Sequence, residues 1–298
     1  MLDFVPAHES VTLDDIITVE RFLKQNGKIN VLTGAGVSTE SGVPDYRSEK
    51  VGIFNRTNYK PIQYQDFLRK PEVQKRYWAR AFVSNQYYSK IEPNCVHHIL
   101  AEWERKNVIN WLITQNVDGL HQKAGSSKVT ELHGSLRLVK CVNFRSQTCD
   151  YSIPSFEFYK ILEHLNPTFK SYHIKNAKNI RPDGDVEFNS SLIENFNVPK
   201  CPKCNSLLKP DVIFFGDNVP QARVNFVYNK LNETNALLII GSSLRVFSSF
   251  KFLLFAVEKK KIILIVSIGT SGADNFKDII FIRKRAGELF PCINLNFI

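Results

Sequence analysis

Six short apolar runs recur along the chain, and longer amphipathic stretches separate them. Each run is almost continuously apolar, as expected of strands that are buried on both faces of a parallel sheet. The runs lie at residues 29–33, 108–114, 129–132, 236–241, 262–266 and 278–282. This alternation predicts an α/β fold in which a Rossmann-like parallel sheet carries helices on both faces.

Two long insertions interrupt this alternation. Residues 46–107 are too long for a simple crossover, and their aromatic, basic stretch 67–90 predicts a helical module beside the sheet. Residues 138–208 hold four of the six cysteines and predict a small inserted zinc-binding domain. The remaining residues, 1–137 and 209–298, are then expected to form the Rossmann-like domain.

The loop after the first run reads TGAGVSTESGVPDYRS and spans residues 33–48. Gly34 and Gly36 leave room for close approach to phosphates, although a glycine pair after a strand also occurs in plain tight turns. The dinucleotide fingerprint would place a third glycine at position 39, where this chain has Thr39. The polar residues that follow predict a loop long enough to fold over a ligand. They are Ser38, Glu40, Ser41, Asp45, Arg47 and Ser48.

Polar residues also follow the second run, in the segment TQNVDGLH. Ligand groups in open α/β sheets collect at the carboxyl ends of strands, and Gln115, Asn116 and Asp118 would lie there. An Asx-rich turn that only caps the next helix explains the same residues equally well. The segment alone therefore leaves both interpretations open.

The third and fourth runs end in candidate site residues as well. His133 follows the third run and is a candidate general base, although a lone histidine at such a position is more often structural. Gly241, Ser242 and Ser243 follow the fourth run and suit hydrogen bonds to ribose or phosphate, or a helix N-cap. Several polar clusters at strand ends together favour a single site.

The sequence Cys201-Pro-Lys-Cys204 is typical of a knuckle that supplies two thiolates to zinc. Cys141 and Cys149 are its candidate partners, on a hairpin whose tip must be enlarged because seven residues separate them. A redox role for the knuckle is the weaker alternative, because no buried strand precedes it.

Composition narrows the classes of partner. The net charge is +10 and the pI is 9.2, but the lysines and arginines are spread along the chain. This distribution favours a basic soluble protein over one that binds nucleic acid. No apolar run approaches the roughly 20 residues that span a bilayer, so a membrane role is not expected. The first dozen residues hold no Lys or Arg, so no presequence is visible.

Taken together, GAGVSTESGVPDYRS, TQNVDGLH, ELHG, the split cysteines, LKPDVIFFGD and GSS resemble the sirtuin family of NAD-dependent protein deacylases. The resemblance runs from about residue 20 to the C-terminus. Residues 77–80, 181–185 and 215–217 are similar to the class II, mitochondrial sirtuin-4 type. The resemblance implies transfer of an acyl group from a protein lysine to ADP-ribose, with release of nicotinamide and O-acyl-ADP-ribose.

The resemblance also implies roles for individual residues. His133 would be the general base, while Asn116 and Asp118 would hold the nicotinamide carboxamide. Tyr77 and Arg80 would receive carboxyl-bearing acyl groups, with a salt bridge of Arg80 on a helix face as the alternative, and acidic or long acyl chains would be preferred to acetyl. Residues expected to bind NAD are Gly34, Ala35, Gly36, Ser38, Gly42, Val43, Pro44, Asp45, Tyr46, Arg47, Gln115, Asn116, Asp118, His133, Gly241, Ser242, Ser243, Ser267, Ile268, Gly269 and Ala286. Residues expected to contact the acyl-lysine substrate are Tyr77, Arg80, Val212, Phe214, Phe215 and Gly216, and those expected to bind structural Zn²⁺ are Cys141, Cys149, Cys201 and Cys204.

Two positions depart from the family pattern. Ser267 stands where the family has an asparagine, and Ala286 stands where it has a cysteine. The family also implies a mitochondrial matrix location, for which a cytoplasmic one is the alternative, and it leaves the oligomeric state open. Alternative functions are a protein mono-ADP-ribosyltransferase that uses the same NAD site, an NAD-responsive binding module, and a nucleic-acid-binding zinc protein.

Overall fold

The larger of two sheets has six strands, all parallel, in this computed structural model, which describes residues 3–56, 61–169 and 193–295. All six predicted strands are present, with small shifts at their ends. They are β1 (Ile29–Thr33), β2 (Ile109–Thr114), β3 (Val129–Glu131), β7 (Ala236–Ile240), β8 (Ile262–Val266) and β9 (Ile280–Ile282). The predicted α/β fold with a Rossmann-like parallel sheet is therefore confirmed.

The strand order of this sheet is β3-β2-β1-β7-β8-β9. The chain therefore winds outward in one direction from β1 and in the other from β7, and these two strands are neighbours. In open α/β sheets, ligands bind beyond the carboxyl ends of the strands at such a reversal point. Thr33 and Ile240 end the two strands and lie side by side in register.

Helices cover both faces of the large sheet. The described residues form the helices α1 (Leu13–Asn26), α2 (Ile53–Arg56), α3 (Tyr64–Arg69), α4 (Pro71–Tyr88), α5 (Cys95–Arg105), α6 (Leu120–Lys123), α7 (Ser155–Leu165), α8 (Gln221–Asn232), α9 (Phe247–Glu258) and α10 (Ala286–Leu289), of which α3, α4 and α7 pack with the smaller sheet. Val31 packs with α1 and α5 on one face, and its neighbour Leu32 packs with α8 and α9 on the other. The alternating faces of each buried strand thus hold two helical layers against one sheet.

The predicted helical stretch 67–90 is two helices, α3 and α4. Pro71 is the first residue of α4 and cannot donate a backbone hydrogen bond, so the helix before it ends at Arg69. The indole of Trp78 on α4 donates a 3.1 Å hydrogen bond to the carbonyl of Leu208. Because Trp78 also packs against Phe158, the helical module is joined to the smaller sheet.

The smaller sheet has three antiparallel strands, β4 (Gly134–Cys141), β5 (Ser152–Pro154) and β6 (Leu208–Val212), in the order β5-β4-β6. Its two longer strands extend beyond the predicted domain limits at residues 138 and 208. That division of the chain into two domains stays a prediction. The segment 181–185 used for the class II resemblance lies outside the described residues.

Four cysteines lie together beside the smaller sheet. The sulfurs of Cys141, Cys149, Cys201 and Cys204 are all within 4.8 Å of one another, with a Cys141–Cys204 distance of 3.4 Å and a Cys149–Cys201 distance of 3.6 Å. Zn–S bonds of about 2.3 Å in a tetrahedron place sulfurs roughly 3.8 Å apart, so these four thiols fit a structural Zn²⁺. Residues 142–148 form the enlarged hairpin tip that brings Cys149 back.

Two buried histidines lie below the carboxyl edge of the large sheet. The ring centroids of His97 and His121 are 4.8 Å apart. His121 Nε2 bonds to the hydroxyl of Thr33 at 2.9 Å, and His97 Nδ1 bonds to Asn94 at 3.0 Å. Burial lowers the pKa of His121 to about 3 and that of His97 well below its ordinary value. Both rings are therefore neutral in the folded protein at pH 7.

Among the described residues, no helix combines the length and the apolar character that a bilayer-spanning segment needs.

The cysteine cluster predicts a dependence of stability on zinc. We expect purified protein to hold one Zn²⁺ per chain by native mass spectrometry, and Cys204→Ser to lose it with a fall in melting temperature of roughly 5–10 °C. Cys292→Ser is the matched control, because Cys292 is exposed and lies outside the cluster. Full zinc occupancy and an unchanged melting temperature in Cys204→Ser would show that the cluster is not a metal site.

The buried histidines predict loss of stability in acid. Their folded-state pKa values lie below the ordinary value, so their contribution is complete above about pH 6.5 and is lost as the pH falls toward the folded value. Between pH 7 and pH 5 the unfolding free energy should fall by about 1–2 kcal/mol for each histidine, measured by urea denaturation. His121→Gln should flatten this dependence, whereas the same change at exposed His164 should preserve it. An identical slope in both variants would contradict the assignment.

Candidate active site

A cavity of about 1350 Å³ lies at the carboxyl edge of the large sheet. Its wall runs across five neighbouring strand ends, from His133 beyond β3 to Ser267 beyond β8. Neighbouring strands are about 4.8 Å apart, so this wall spans roughly 19 Å, a length suited to an extended dinucleotide. The cavity lies at the reversal point where the fold predicts a ligand.

Most of the residues predicted to form the site line this cavity. Those that line it are Gly34, Ala35, Gly36, Ser38, Val43, Asp45, Tyr46, Arg47, Tyr77, Gln115, Asn116, Asp118, His133, Val212, Phe214, Phe215, Gly216, Gly241, Ser242, Ser243, Ser267, Ile268, Gly269 and Ala286. Gly42, Pro44 and Arg80 are not among the described residues of the wall.

The paired glycines bring two loop backbones into contact. The N–H of Gly36 donates to the carbonyl of Gly241 at 2.9 Å, and the N–H of Gly34 donates to Ile240 at 3.0 Å. A Cβ added to Gly34 or Gly36 would lie 2.8 Å from the Gly241 oxygen. The missing side chains thus serve contact between protein backbones, in addition to any approach of phosphates proposed from the sequence.

Thr39 replaces the third glycine of the dinucleotide fingerprint. Its hydroxyl donates to the carbonyl of Gly36 at 3.0 Å, within two consecutive 3₁₀ turns at Ala35–Val37 and Thr39–Ser41. Gly42 ends the second turn at a φ of 89°, and its carbonyl accepts a hydrogen bond from Tyr87. The loop therefore stays wound in short turns where a Rossmann fingerprint would start a long helix.

Ser38 joins two candidate catalytic side chains. Its hydroxyl donates to the Asp118 carboxylate at 2.8 Å and accepts from the Asn116 amide at 3.0 Å. The other carboxylate oxygen of Asp118 accepts from the Leu120 N–H at 3.0 Å. Burial raises the pKa of Asp118, and these hydrogen bonds oppose the rise. The Asn116 and Asp118 side chains are thus fixed toward the cavity.

The imidazole of His133 is held by two hydrogen bonds. Its Nδ1 lies 2.9 Å from the carbonyl of Gln115, and its Nε2 lies 2.7 Å from the hydroxyl of Ser248. Because a carbonyl can only accept, Nδ1 carries the proton in the neutral ring, and Nε2 presents a lone pair. Burial lowers the pKa of His133 to about 4. At neutral pH this ring is an unprotonated base at the cavity wall.

Gln115 links the β2 end to the β7 end. Its Nε2 donates to the Ser242 hydroxyl at 2.7 Å, and its backbone N–H donates to the Thr33 carbonyl at 2.9 Å. Ser242 in turn accepts from the N–H of Leu244 at 3.2 Å. The two serines after β7 therefore lie on the same wall as the β2 segment, as predicted.

The loop segment 45–48 is shaped by Asp45. One carboxylate oxygen accepts from the N–H groups of Arg47 and Ser48 at 3.0 and 2.8 Å, and the other accepts from the Ser48 hydroxyl. The Arg47 guanidinium lies 5.2 Å from the ring centre of Phe54, and burial lowers its pKa. Asp45 thus stabilises the turn that carries Tyr46 and Arg47 into the cavity.

One end of the cavity is aromatic and apolar. The ring of Phe214 lies 5.3 Å from that of Tyr77 and 5.1 Å from that of Phe67, measured between centroids. Phe215 forms a parallel bridge with Gln63, and its carbonyl accepts from the Tyr64 N–H at 2.8 Å. The 212–216 segment is therefore anchored on one side while it lines the cavity.

The structure adds residues that the sequence did not indicate. Ser248 and Lys251 lie one turn apart on α9 and line the cavity near His133. Arg245, Lys284 and Arg285 line its other end. The spacing of Ser248 and Lys251 matches one helix face, but their helix is largely apolar, so the pattern alone indicates packing. In chemical terms the site offers a neutral base, a buried carboxyl-amide pair and a long groove for a nucleotide.

Comparison with known proteins assigns the family. Residues 34–248 match the Sir2 family model. A Drosophila melanogaster protein, "NAD-dependent protein deacylase Sirt4", is 46% identical over 97% of this chain and 89% of its own length. The Homo sapiens protein "NAD-dependent protein lipoamidase sirtuin-4, mitochondrial" is 43% identical over 98% of this chain and 90% of its own.

Solved structures agree with this assignment. A structure described as "Structural Basis for the Mechanism and Regulation of Sir2 Enzymes" is 28% identical, with a TM-score of 0.70 over 94% of this chain and 96% of that one. Another, described as "Sir2-p53 peptide-NAD+", is 26% identical, with a TM-score of 0.68 over 94% and 96% of the two chains. The resemblance to the sirtuin-4 type is confirmed. The chain therefore belongs to the Sir2 family of NAD-dependent enzymes.

Proposed function

We propose that this chain is a protein-lysine deacylase that transfers the acyl group to ADP-ribose and releases nicotinamide and O-acyl-ADP-ribose. The observation that carries the proposal is the His133 ring, whose Nε2 presents a lone pair in the cavity while Nδ1 is fixed on Gln115 at 2.9 Å. The deacylase names of the close relatives support the same reaction. When bound, NAD supplies the ribose that accepts the acyl group.

His133 is proposed as the general base. A neutral ring can take a proton from a ribose hydroxyl without first losing one, and such positioned base catalysis contributes roughly 10²- to 10⁴-fold. Burial keeps the ring neutral, because it lowers the pKa of His133 to about 4. The reaction requires that bound substrates displace water from the cavity, because water would otherwise compete with the acyl oxygen for the anomeric carbon of the ribose.

Asn116 and Asp118 are proposed to hold the nicotinamide carboxamide. An amide and a carboxylate side by side offer the donor and the acceptor that a carboxamide needs. Ser38 fixes both, at 3.0 and 2.8 Å, so neither side chain must be ordered when the ligand binds. Most of the other predicted cofactor contacts also line this cavity, with the exception of Gly42 and Pro44.

The acyl chain is proposed to bind at the aromatic end, against the side of the cavity that Tyr77 and Phe214 line. Val212 and Ile62 also line this end, so it suits a long apolar chain better than acetyl. The human and bovine relatives are named lipoamidases, which supports a long acyl substrate. A preference for acidic acyl chains depends on Arg80, whose side chain does not border the cavity in the described structure.

The substrate is an acyl-lysine protein, and we propose that its backbone pairs with the 212–216 segment. This segment continues from β6 and lines the cavity. Addition of a substrate strand there would direct the acyl-lysine side chain toward the aromatic end of the cavity, which Tyr77 and Phe214 line.

A mitochondrial matrix location is proposed as well, because the bovine and human relatives are named mitochondrial. We also propose the division into an NAD-binding domain, 1–137 with 209–298, and a zinc-binding domain, 138–208. The alternative of a protein mono-ADP-ribosyltransferase is not favoured, since the relatives' names indicate deacylation.

The proposed base is tested by His133→Ala. We expect kcat with an acyl-lysine peptide and NAD to fall at least about 100-fold, because His133 is the one imidazole among the described residues of this wall. Mass spectrometry of the wild-type reaction should show O-acyl-ADP-ribose in equal amount to deacylated peptide. Exposed His164→Ala serves as the control and should react as wild type. Protein-linked ADP-ribose in place of O-acyl-ADP-ribose would refute the proposed reaction.

The acyl preference is tested with lipoyl-, glutaryl- and acetyl-lysine forms of one peptide. The apolar cavity end predicts a kcat/KM for the lipoyl peptide at least about tenfold above that for acetyl, since each buried CH₂ contributes about 0.8 kcal/mol. If Arg80 serves acidic chains, Arg80→Ala should lower the glutaryl-to-acetyl ratio alone. An unchanged glutaryl-to-acetyl ratio in Arg80→Ala would show that Arg80 does not bind the acyl group. Equal kcat/KM values for the lipoyl and acetyl peptides would contradict the proposed preference for long chains.

A further inference from the structure

Ser248 touches the proposed base directly. Its hydroxyl oxygen lies 2.7 Å from His133 Nε2, the ring nitrogen that faces the cavity. Ser248 belongs to the first turn of α9, and it lines the cavity as well.

The direction of the hydrogen bond follows from the other side of the ring. Nδ1 must donate to the Gln115 carbonyl, so Nε2 of the neutral ring has no proton to give. The Ser248 hydroxyl therefore donates, and Nε2 accepts. A donor to Nε2 stabilises the neutral imidazole over the imidazolium, because the imidazolium cannot accept a hydrogen bond.

The contact completes a chain of hydrogen bonds. Ser248 donates to His133, His133 donates to the Gln115 carbonyl, and the Gln115 amide donates to Ser242 at 2.7 Å. The imidazole thereby connects helix α9 to the end of β2, and the Gln115 side chain extends the connection to the end of β7. A ring bound at both nitrogens has a fixed plane, whereas a ring bound only at Nδ1 can rotate about that bond.

We propose that Ser248 is a positioning residue that holds the neutral His133 ring with Nε2 aimed into the cavity. The proposal rests on the base role of His133 and adds the group that orients it. When a ribose hydroxyl reaches Nε2, the Ser248 hydroxyl shares or yields this position, and the ring is already aligned. Because the ring is aligned before the substrate binds, less conformational freedom is lost in the reaction, and the entropic part of the activation free energy is smaller.

The charges around the ring explain why a neutral donor suits this position. Arg223 and Lys251 are the cations whose fields act on His133, and both disfavour the imidazolium. Arg223 is held by the carbonyl of Leu132 at 3.0 Å, and Lys251 lies one turn beyond Ser248 on α9. The hydrogen bond from Ser248 also favours the neutral ring over the imidazolium, as these two charges do. Its loss should therefore make the ring easier to protonate.

Ser248→Ala is the test, with steady-state kinetics measured from about pH 3.5 to 9, a range that includes the pKa of His133 at about 4. We expect kcat to fall about 3- to 10-fold, with KM for NAD and for peptide changed less than about twofold. The acid limb of the kcat–pH profile should move to higher pH by roughly 0.5–1 unit, which corresponds to the free energy of one hydrogen bond. Ser248→Thr keeps the hydroxyl and should keep the acid limb in its wild-type position.

Ser249→Ala is the matched control. Ser249 is the next residue of α9, is buried, and donates to the carbonyl of Val246 at 2.9 Å, away from His133. The proposal would be overturned if Ser248→Ala and Ser249→Ala had the same kcat and the same acid limb in the kcat–pH profile. A rise in kcat in Ser248→Ala, or an acyl group found on Ser248, would overturn it as well. Activity that survives in His133→Ala would overturn the base role and the proposal together. An inactive His133→Ala with an unaffected Ser248→Ala would overturn Ser248 alone.

Discussion

The backbone contact between the loop after β1 and the loop after β7 fixes the geometry of the whole site. Gly36 donates to the Gly241 carbonyl at 2.9 Å, and a Cβ on Gly36 would lie 2.8 Å from that same oxygen. The contact lies where the strand order reverses, so the cavity opens directly above it. From one loop Ser38 reaches Asn116 and Asp118, and from the other Ser242 reaches Gln115. Both halves of the site therefore depend on two residues without side chains.

Burial gives these groups their chemical character. The His133 ring is neutral because burial lowers its pKa to about 4, while burial raises the pKa of Asp118. Each group is paired with a fixed neighbour, so its orientation does not depend on the ligand. A preorganised polar site in a water-poor cavity stabilises developing charge without rearrangement, which is the usual source of large rate effects. The cysteine cluster lies beside the smaller sheet, at the end of β4, and supports the fold around this site.

The sequence was sufficient to predict the parallel sheet, the strand-end polar clusters and the four cysteines. Apolar runs and metal-ligand residues are local signals, because each can be recognised from a short stretch of sequence without knowledge of its partners in the fold. Ser248 could not be predicted in this way, because its partner His133 is distant in the chain and only the fold brings them together. The contact of Gly36 with Gly241 could not be predicted either, because these two residues are also distant in the chain. Pro71 shows the opposite case, because its effect on the helix is local and is contained in the sequence. The position of Arg80 depends on how α4 packs, which spacing alone does not determine.

The protonation state of His133 is the central claim, and ¹⁵N NMR of the imidazole tests it most directly. Labelled wild-type protein compared with His133→Ala identifies the two ring nitrogens of this residue. At pH 7 the account predicts a protonated Nδ1 and an unprotonated Nε2, with no titration between pH 7 and about pH 5. A proton on Nε2, or an imidazolium at pH 7, would contradict the account, because the ring could then not accept a proton in the cavity.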